Sequence, residues 1–150
     1  MTPDQIWSDY CSATGHSGTY RGVDAFGDGA ALQNELLALV LDGTKQATCS
    51  LARDFNEERP PEPGDHWIIT DGHNVPKAII RTRSVEPRPI REVDETFARI
   101  EGEGDKSLKY WKQSHDAYFR HQGDREGFVY DDSMIGLCEQ FDVVWPINGD

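Results

Sequence analysis

The sequence has few cysteines, no long apolar run and a shortage of positive charge. Its three cysteines are far apart and include no Cys-x-x-Cys pair, which argues against a disulfide framework and is typical of a reducing compartment. No apolar run approaches the ~20 residues of a membrane-spanning helix, and the polar, acidic N-terminus does not resemble a signal peptide. We therefore expect a cytoplasmic globular protein that does not enter a membrane.

The shortage of positive charge bears on partners. The chain has 15 Lys and Arg against 27 Asp and Glu, a net charge of −12. Such a protein repels a phosphate backbone, so the net charge disfavours RNA as a partner. Residues 77–91 are basic against this background, with five cations and one glutamate giving +4. This arginine row is either an exposed strand face paired with acidic neighbours or a short nucleic-acid contact.

Two kinds of ligand site are also missing. The five histidines lack metal-ligand spacing, since His115 and His121 are six residues apart and cannot both be ligands on one helix face. The Gly-x-x-x-x-Gly-Lys-Ser/Thr pattern of a phosphate-binding loop does not occur. We predict no metal site and no cofactor.

What is present indicates a folded domain. The chain has 150 residues, 37% of them apolar, enough for one hydrophobic core. We predict a single domain over residues 1–150, with residues 1–25 as an N-terminal extension formed by a helix near 3–11 and then a loop.

The remaining elements follow from periodicity and from breaker residues. Leu32, Leu36, Leu39 and Val40 form one stripe of a helix over 29–42, with Asp28 as its N-cap and Gly43 after its end. We also predict a strand at 46–51 and a hairpin of 67–69 with 78–80, whose second strand ends at Val85 before Pro87 and Pro89. After it we predict a short helix at 92–99 and a loop from Glu101 to Asp105. The chain then forms a longer helix, capped by Asp105 or Ser107, and a strand in 134–145. This order predicts an α+β fold with a small, mostly antiparallel β-barrel.

One motif joins the end of the first long helix to the next strand. In Gly43-Thr44-Lys45-Gln46-Ala47-Thr48, burial would lower the pKa of the lysine, and a threonine beside a neutral lysine is a known nucleophile–base pair. Alternatively, Lys45 complements the helix dipole and Thr48 is chosen for its β-propensity.

Two further features suggest a ligand pocket. Glu101 lies beside two glycines, which let backbone approach a ligand, although a solvated connector has the same composition. Phe26, Trp67, Tyr110 and Trp111 supply flat side chains that could stack on a nucleobase or pack in the core.

In this order, the pieces resemble the ASCH domain family, a relative of the PUA domain. The resemblance covers about Phe26 to Trp145 and rests on Phe26-Gly27-Asp28, the Gly43–Thr48 motif, Pro63-Gly64-Asp65, Phe97-Ala98-Arg99-Ile100-Glu101-Gly102-Glu103-Gly104-Asp105, Leu108-x-x-Trp111-x-x-x-His115 and Leu137-Cys138-Glu139-Gln140-Phe141. The helix after Asp105 is typical of the longer bacterial branch. The resemblance implies a PUA-like barrel with surrounding helices and a cleft between them.

The resemblance also implies an activity. Some bacterial ASCH proteins hydrolyse N4-acylated cytosine nucleosides to cytidine and a carboxylic acid, which implies Lys45, Thr48 and Glu101 as catalytic residues and a small nucleoside as substrate. We expect Phe26, Trp67, Ser50 and Arg81 to bind the substrate. In this hypothesis Lys45 is held neutral as the base, Glu101 donates a proton to the leaving amine, and no metal is needed. Ser50 stands where the wider family often has an arginine, which weakens the case for phosphate contacts.

Two alternatives stay open. Another member of the family resembles a magnesium-dependent single-strand ribonuclease, so the chain could bind or cleave RNA through Lys45 and the arginine row. The cleft could also bind a modified nucleoside without catalysis.

Overall fold

The computed structural model describes residues 1–147, in which a five-stranded sheet carries four α-helices. The elements are α1 (Pro3–Thr14), β1 (Gly22–Asp24), α2 (Ala30–Leu41), β2 (Ala47–Leu51), β3 (His66–Thr70), β4 (Pro76–Pro89), α3 (Glu95–Glu101), α4 (Leu108–Glu126) and β5 (Ile135–Trp145). The strand order is β1-β3-β4-β5-β2, with β1 and β3 parallel and the other pairs antiparallel. The sheet curls into a half-barrel with β1 and β2 at its edges, so the predicted α+β class with a mostly antiparallel sheet is confirmed.

Strand β4 is the longest strand, and its length departs from prediction. It pairs with β3 from Pro76 to Arg81 and with β5 from Ile79 to Pro89, with register shifts at Ile79/Ile80 and at Thr82/Ser84 that curl the sheet. The predicted end at Val85 is wrong, because the strand continues to Pro89. Beyond Arg81 one edge of β4 has no partner strand. Pro87 and Pro89 are two residues apart, so their missing N–H groups fall on that same open edge.

Helices cover both faces of the sheet, because successive apolar residues of β3 and β4 point to opposite faces. Ile68 and Ile79 pack against α1, through Ile6, Trp7 and Tyr10. Ile69 and Ile80 point the other way and pack against α2, through Leu36, Leu37 and Val40. A third cluster joins α3 and α4 to β2 and β5 through Phe97, Trp111, Phe119, Leu51 and Cys138. Within residues 1–147 no helix has both the length and the apolar character required for membrane insertion.

Two expectations about the first 30 residues are wrong. Residues Gly22–Asp24 form strand β1 instead of a loop, because they add in parallel to the free edge of β3. The N-cap of α2 is Gly29, which makes no side-chain cap hydrogen bond, and not Asp28. The Asp28 carboxylate instead pairs with Arg125 of α4 at 3.3 Å. The division of the chain into a domain and an N-terminal extension stays a prediction.

The end of α3 also differs from prediction, and it positions the site. Asp94 caps α3 by accepting from the Phe97 N–H, and the helix includes Glu101, which was expected in a loop. Gly102 ends the helix in the left-handed conformation at φ 73°. A Cβ at Gly102 would collide with the backbone carbonyl of Thr44. Glycine therefore allows the end of α3 to touch the segment that follows α2.

Candidate functional site

The Gly43–Thr48 segment is fixed by backbone hydrogen bonds to α2 and α3. Gly43 turns the chain after α2 at φ 86°. The N–H of Lys45 then donates to the Leu39 carbonyl, and the N–H of Gln46 donates to the Ile100 carbonyl of α3, each at 3.0 Å. These bonds fix the Lys45 backbone beside the end of α3, so its side chain meets residues that follow it by more than 50 positions.

Lys45 is enclosed and fully hydrogen-bonded. Its side chain is 1% exposed, and its Nζ donates to the Ala47 carbonyl at 2.7 Å, to Glu101 Oε2 at 3.1 Å and to Glu103 Oε2 at 2.8 Å. The Phe26 ring lies 5.1 Å from the ammonium, within cation–π range. These three acceptors engage the three N–H bonds of a charged ammonium group.

Glu101 is the centre of this cluster. Its Oε1 accepts from the Trp111 indole N–H at 2.7 Å, while its Oε2 lies 3.1 Å from Lys45 Nζ and 3.0 Å from His115 Nε2. The indole of Trp111 and the imidazole of His115 stack at 3.9 Å, one turn apart on α4. A buried carboxylate with three donors is held in its ionised form.

The contacts of His115 determine its charge. Its Nδ1 lies 2.9 Å from the Trp111 carbonyl oxygen, and its Nε2 faces the Glu101 carboxylate. Both partners are acceptors, so both ring nitrogens must carry protons and the imidazole is cationic. Although burial opposes the charge, Glu101 raises the pKa of His115.

Lys45 is charged, whereas a neutral amine was expected. Burial alone would lower the pKa of Lys45, but Glu101 and Glu103 outweigh it, and the net direction is upward. The expected neutral lysine base is therefore wrong for the free protein, in which Lys45 is an ammonium ion. The pKa of Glu101 moves down in spite of burial, because His115 and Lys45 stabilise its charge.

Glu103 is the exception among the four charged groups. Burial raises its pKa, and the nearby Glu101 raises it further against the opposing effect of Lys45. Its side chain is 12% exposed, compared with 2% for Glu101. Glu103 is thus the carboxyl group of this cluster whose surroundings favour the protonated form, which makes it the better candidate for proton exchange.

The cluster forms one wall of a cavity of about 130 Å³. Lys45, Thr48 and Glu101 all line it, together with Ser50 and Phe26. Thr48 and Ser50 share one face of β2, because they are two residues apart, while Ala47, Cys49 and Leu51 alternate with them in the strand. The three predicted catalytic residues therefore meet in one cavity; their catalytic roles stay predictions.

The other predicted binding residues lie differently. Phe26 stacks on Phe141 at 5.7 Å on one side and lines the cavity. Trp67 lines a second cavity of about 220 Å³, which shares part of its wall with the first. Arg81 lines neither cavity: it is half exposed on β4 and lies 3.6 Å from Asp142. The structure thus separates Arg81 from the expected site.

The arginine row resembles an ordinary paired surface. Arg83 lies 3.3 Å from the same Asp142 carboxylate, and Arg88 lies 3.0 Å from Glu86 and 3.3 Å from Asp94. Of the two interpretations of residues 77–91, these contacts favour an exposed strand face paired with acidic neighbours.

A divalent metal does not fit the cluster as arranged. One ligand atom from each of Glu101, Glu103 and His115 lies within 4.8 Å of the others. However, the Lys45 ammonium bonds to both carboxylates, and His115 has a proton on each nitrogen. A metal would have to displace the ammonium and deprotonate the imidazole.

Sequence reasoning did not assign Glu103 or His115 to the site. Trp111 and His115 are four residues apart on α4, so they share a helix face. Glu101 and Glu103 stand on both sides of a glycine that ends a helix. These two spacings were visible, but no local pattern indicates that both sets meet at Lys45.

Comparisons with known proteins agree with this architecture. The model of the ASCH domain family matches residues 22–145. The chain belongs to the ASCH domain family. A search of the curated proteins gives no match.

Two solved structures resemble this ASCH domain closely. One is an ASCH domain from Lactobacillus crispatus JV V101, with a TM-score of 0.86, 30% identity and coverage of 94% of this chain and 92% of that one. The other is protein EF3133 from Enterococcus faecalis V583, described by the family model DUF984, with a TM-score of 0.86, 33% identity and coverage of 94% and 91%.

Proposed function

We propose that this ASCH domain is a metal-independent amidohydrolase that cleaves the N4-acyl amide of acylated cytosine nucleosides. The observation that carries the proposal is the bond between Lys45 and Glu103 in the wall that also contains Thr48. A nucleophile, a proton acceptor and a cation for the oxyanion are the parts that acyl transfer requires. The Gly43-x-Lys45-x-x-Thr48 motif, which resembles that of acylcytidine hydrolases, supports this substrate.

The first half-reaction forms an acyl-threonine ester. The Thr48 hydroxyl attacks the acyl carbonyl carbon and passes its proton to the Glu103 carboxylate. Protonated Glu103 is a weaker acceptor, so an N–H of Lys45 turns from it to the new oxyanion. When the C–N bond breaks, Glu103 returns the proton to the exocyclic nitrogen, and cytidine leaves as a neutral amine.

The second half-reaction restores the enzyme. Glu103 takes a proton from water as the water oxygen attacks the ester carbonyl, and it then protonates the departing Thr48 oxygen. The carboxylic acid leaves. Throughout, Glu101 stays ionised and positions Lys45 and His115, so the acid role first expected of Glu101 belongs to Glu103 in this mechanism.

The test is to incubate the protein with N4-acetylcytidine in the presence of a chelator and to measure the cytidine that is formed. We expect turnover, with kcat lowered at least about 10³-fold by Thr48→Val and about 10²–10³-fold by Glu103→Gln. Thr96→Val and Glu95→Gln make the same changes at exposed positions of α3 and should leave kcat unchanged. Turnover that survives Thr48→Val would exclude the acyl-threonine ester. RNA cleavage only with magnesium, or binding without product, would instead support the alternative functions.

A further inference from the structure

The second cavity differs from the first in having acidic groups without cations. It adjoins the cavity of the Lys45 cluster, and the two share Asp24, Phe26, Thr48, Ser50 and Tyr118 in their walls. Three carboxyl groups line it, those of Asp24, Asp54 and Glu139, and none of its lining residues is a lysine or arginine.

Glu139 is the most buried of the three, with 6% of its surface exposed. Its Oε2 accepts from the Thr82 hydroxyl at 2.6 Å, and that hydroxyl accepts from the Trp67 indole N–H at 3.2 Å. Its Oε1 accepts no hydrogen bond from residues 1–147. A carboxylate oxygen that reaches a cavity wall and has no protein donor can accept a hydrogen bond from a ligand.

The acidic side chains of this cavity have no lysine or arginine beside them in its wall. Burial raises the pKa of Glu139, and the Asp24 carboxylate raises it further. Of the arginines near this cavity, Arg21 lies 5.2 Å over the Trp67 ring and pairs with Asp65 at 3.3 Å, and Arg53, next to Asp54, lies 3.5 Å over the Phe128 ring. An anionic ligand group here would meet carboxylates and no free cation of the wall.

We propose that this second cavity holds the sugar of the nucleoside and that Asp24, Asp54 and Glu139 restrict the substrate to nucleosides without a 5′-phosphate. The proposal rests on the proposed function, because it places the acyl-cytosine amide in the adjoining cavity. Sugar hydroxyl groups donate to carboxylate oxygens such as Oε1 of Glu139. The Trp67 and Tyr118 rings supply flat apolar walls for the sugar carbons.

The experiment compares kcat/KM for N4-acetylcytosine, N4-acetylcytidine and N4-acetylcytidine 5′-monophosphate. We expect the nucleoside to be best and the monophosphate to be at least about tenfold poorer, since like charges in a binding site are repulsive. Glu139→Gln keeps the acceptor for Thr82 but removes the charge. It should lower the ratio of kcat/KM for the nucleoside to kcat/KM for the monophosphate severalfold. Asp54→Asn, at an exposed position, should also lower this ratio, without affecting folding. Glu95→Gln is the matched control on α3 and should leave the ratio unchanged.

Other outcomes separate the two proposals. Equal or better use of the monophosphate, or a ratio that neither variant changes, would overturn the sugar assignment while leaving the amidohydrolase intact. If none of the three compounds is hydrolysed, the proposed function fails. In that case, calorimetry that compares the affinity for cytidine with the affinity for cytidine 5′-monophosphate still tests whether the acidic residues exclude a phosphate. Tighter binding of cytidine supports it, and equal or tighter binding of the monophosphate refutes it.

Discussion

Glu101 and Glu139 are two buried glutamates of one sheet-and-helix framework, yet their pKa values move in opposite directions. The exposed fraction of the whole residue is 1% for Glu101 and 6% for Glu139. Glu101 has Lys45, His115 and Trp111 as donors, and its pKa is lowered; Glu139 has the Thr82 hydroxyl, and its pKa is raised. Burial is thus similar, and the number and charge of the partners determine which form is stable.

This difference between the two glutamates accounts for the difference in charge between the two cavities. The Glu101 side balances two carboxylates with an ammonium and an imidazolium, which provides a fixed cation for chemistry. The Glu139 side leaves its carboxyl groups without cations, which suits neutral hydrogen-bond donors. The predictions below test each half of this contrast.

The largest effect should come from removing the cation. Lys45→Met keeps the length and apolar stem of the side chain but deletes the ammonium that would stabilise the oxyanion. We expect kcat/KM for N4-acetylcytidine to fall about 10³-fold, measured in steady state. Lys77→Met, at an exposed position of β4, is the control. Near-normal turnover of Lys45→Met would remove the lysine from the mechanism.

Neutralising Glu101 should cost stability. Glu101→Gln leaves the Lys45 ammonium and the His115 imidazolium buried without their shared anion, and we expect the free energy of unfolding at pH 7 to fall by about 3 kcal/mol. Urea unfolding measures it. The wild type should lose the same contribution as the pH falls below about 4.5, the unfolded value, because the folded pKa of Glu101 is lowered. An unfolding free energy that is flat through this range would contradict the assignment.

Glu139 should show the opposite dependence on pH. Its folded pKa is raised, so the folded state holds the proton more tightly, and wild-type stability falls as the pH rises from about 4.5 through the folded pKa. Glu139→Gln removes this loss. The difference in free energy of unfolding between Glu139→Gln and wild type should therefore favour the variant more at pH 8 than at pH 5. Chemical denaturation at the two pH values checks the sign; a variant that is less favourable at pH 8 refutes it.

The smallest effect should come from the paired arginine surface. Arg81→Ala removes a half-exposed ion pair with Asp142, and such pairs contribute about 0–1 kcal/mol. We expect thermal unfolding and N4-acetylcytidine turnover to change little. A large loss of kcat/KM would return Arg81 to the substrate-binding residues from which its position on β4 separates it.

The sequence predicted several parts of the fold for identifiable reasons. The apolar stripe of α2 and the hairpin formed by β3 and β4 depend on residues close together in the chain. The strand that ends in Trp145 was recognised because its apolar residues alternate. Pro87 and Pro89 misled the prediction, because proline interrupts a strand only when its N–H side faces a partner, and that depends on which strand lies beside it.

The site was predictable in part. Lys45, Thr48 and Glu101 came from the family resemblance, and all three line one cavity. Lys45 was predicted to be neutral, whereas it is an ammonium ion, because the prediction took account of burial but not of the direct contacts with the Glu101 and Glu103 carboxylates.

By itself, the sequence determined the order and type of most elements, the family and the chemistry-bearing motif, because these depend on local periodicity and on residue identity. Only the tertiary structure decided the protonation states and the contrast between the two cavities. Electrostatic energies depend on distances between atoms, and the fold brings position 45 to positions 101, 103 and 115, and position 139 to position 82, across separations that no local pattern encodes.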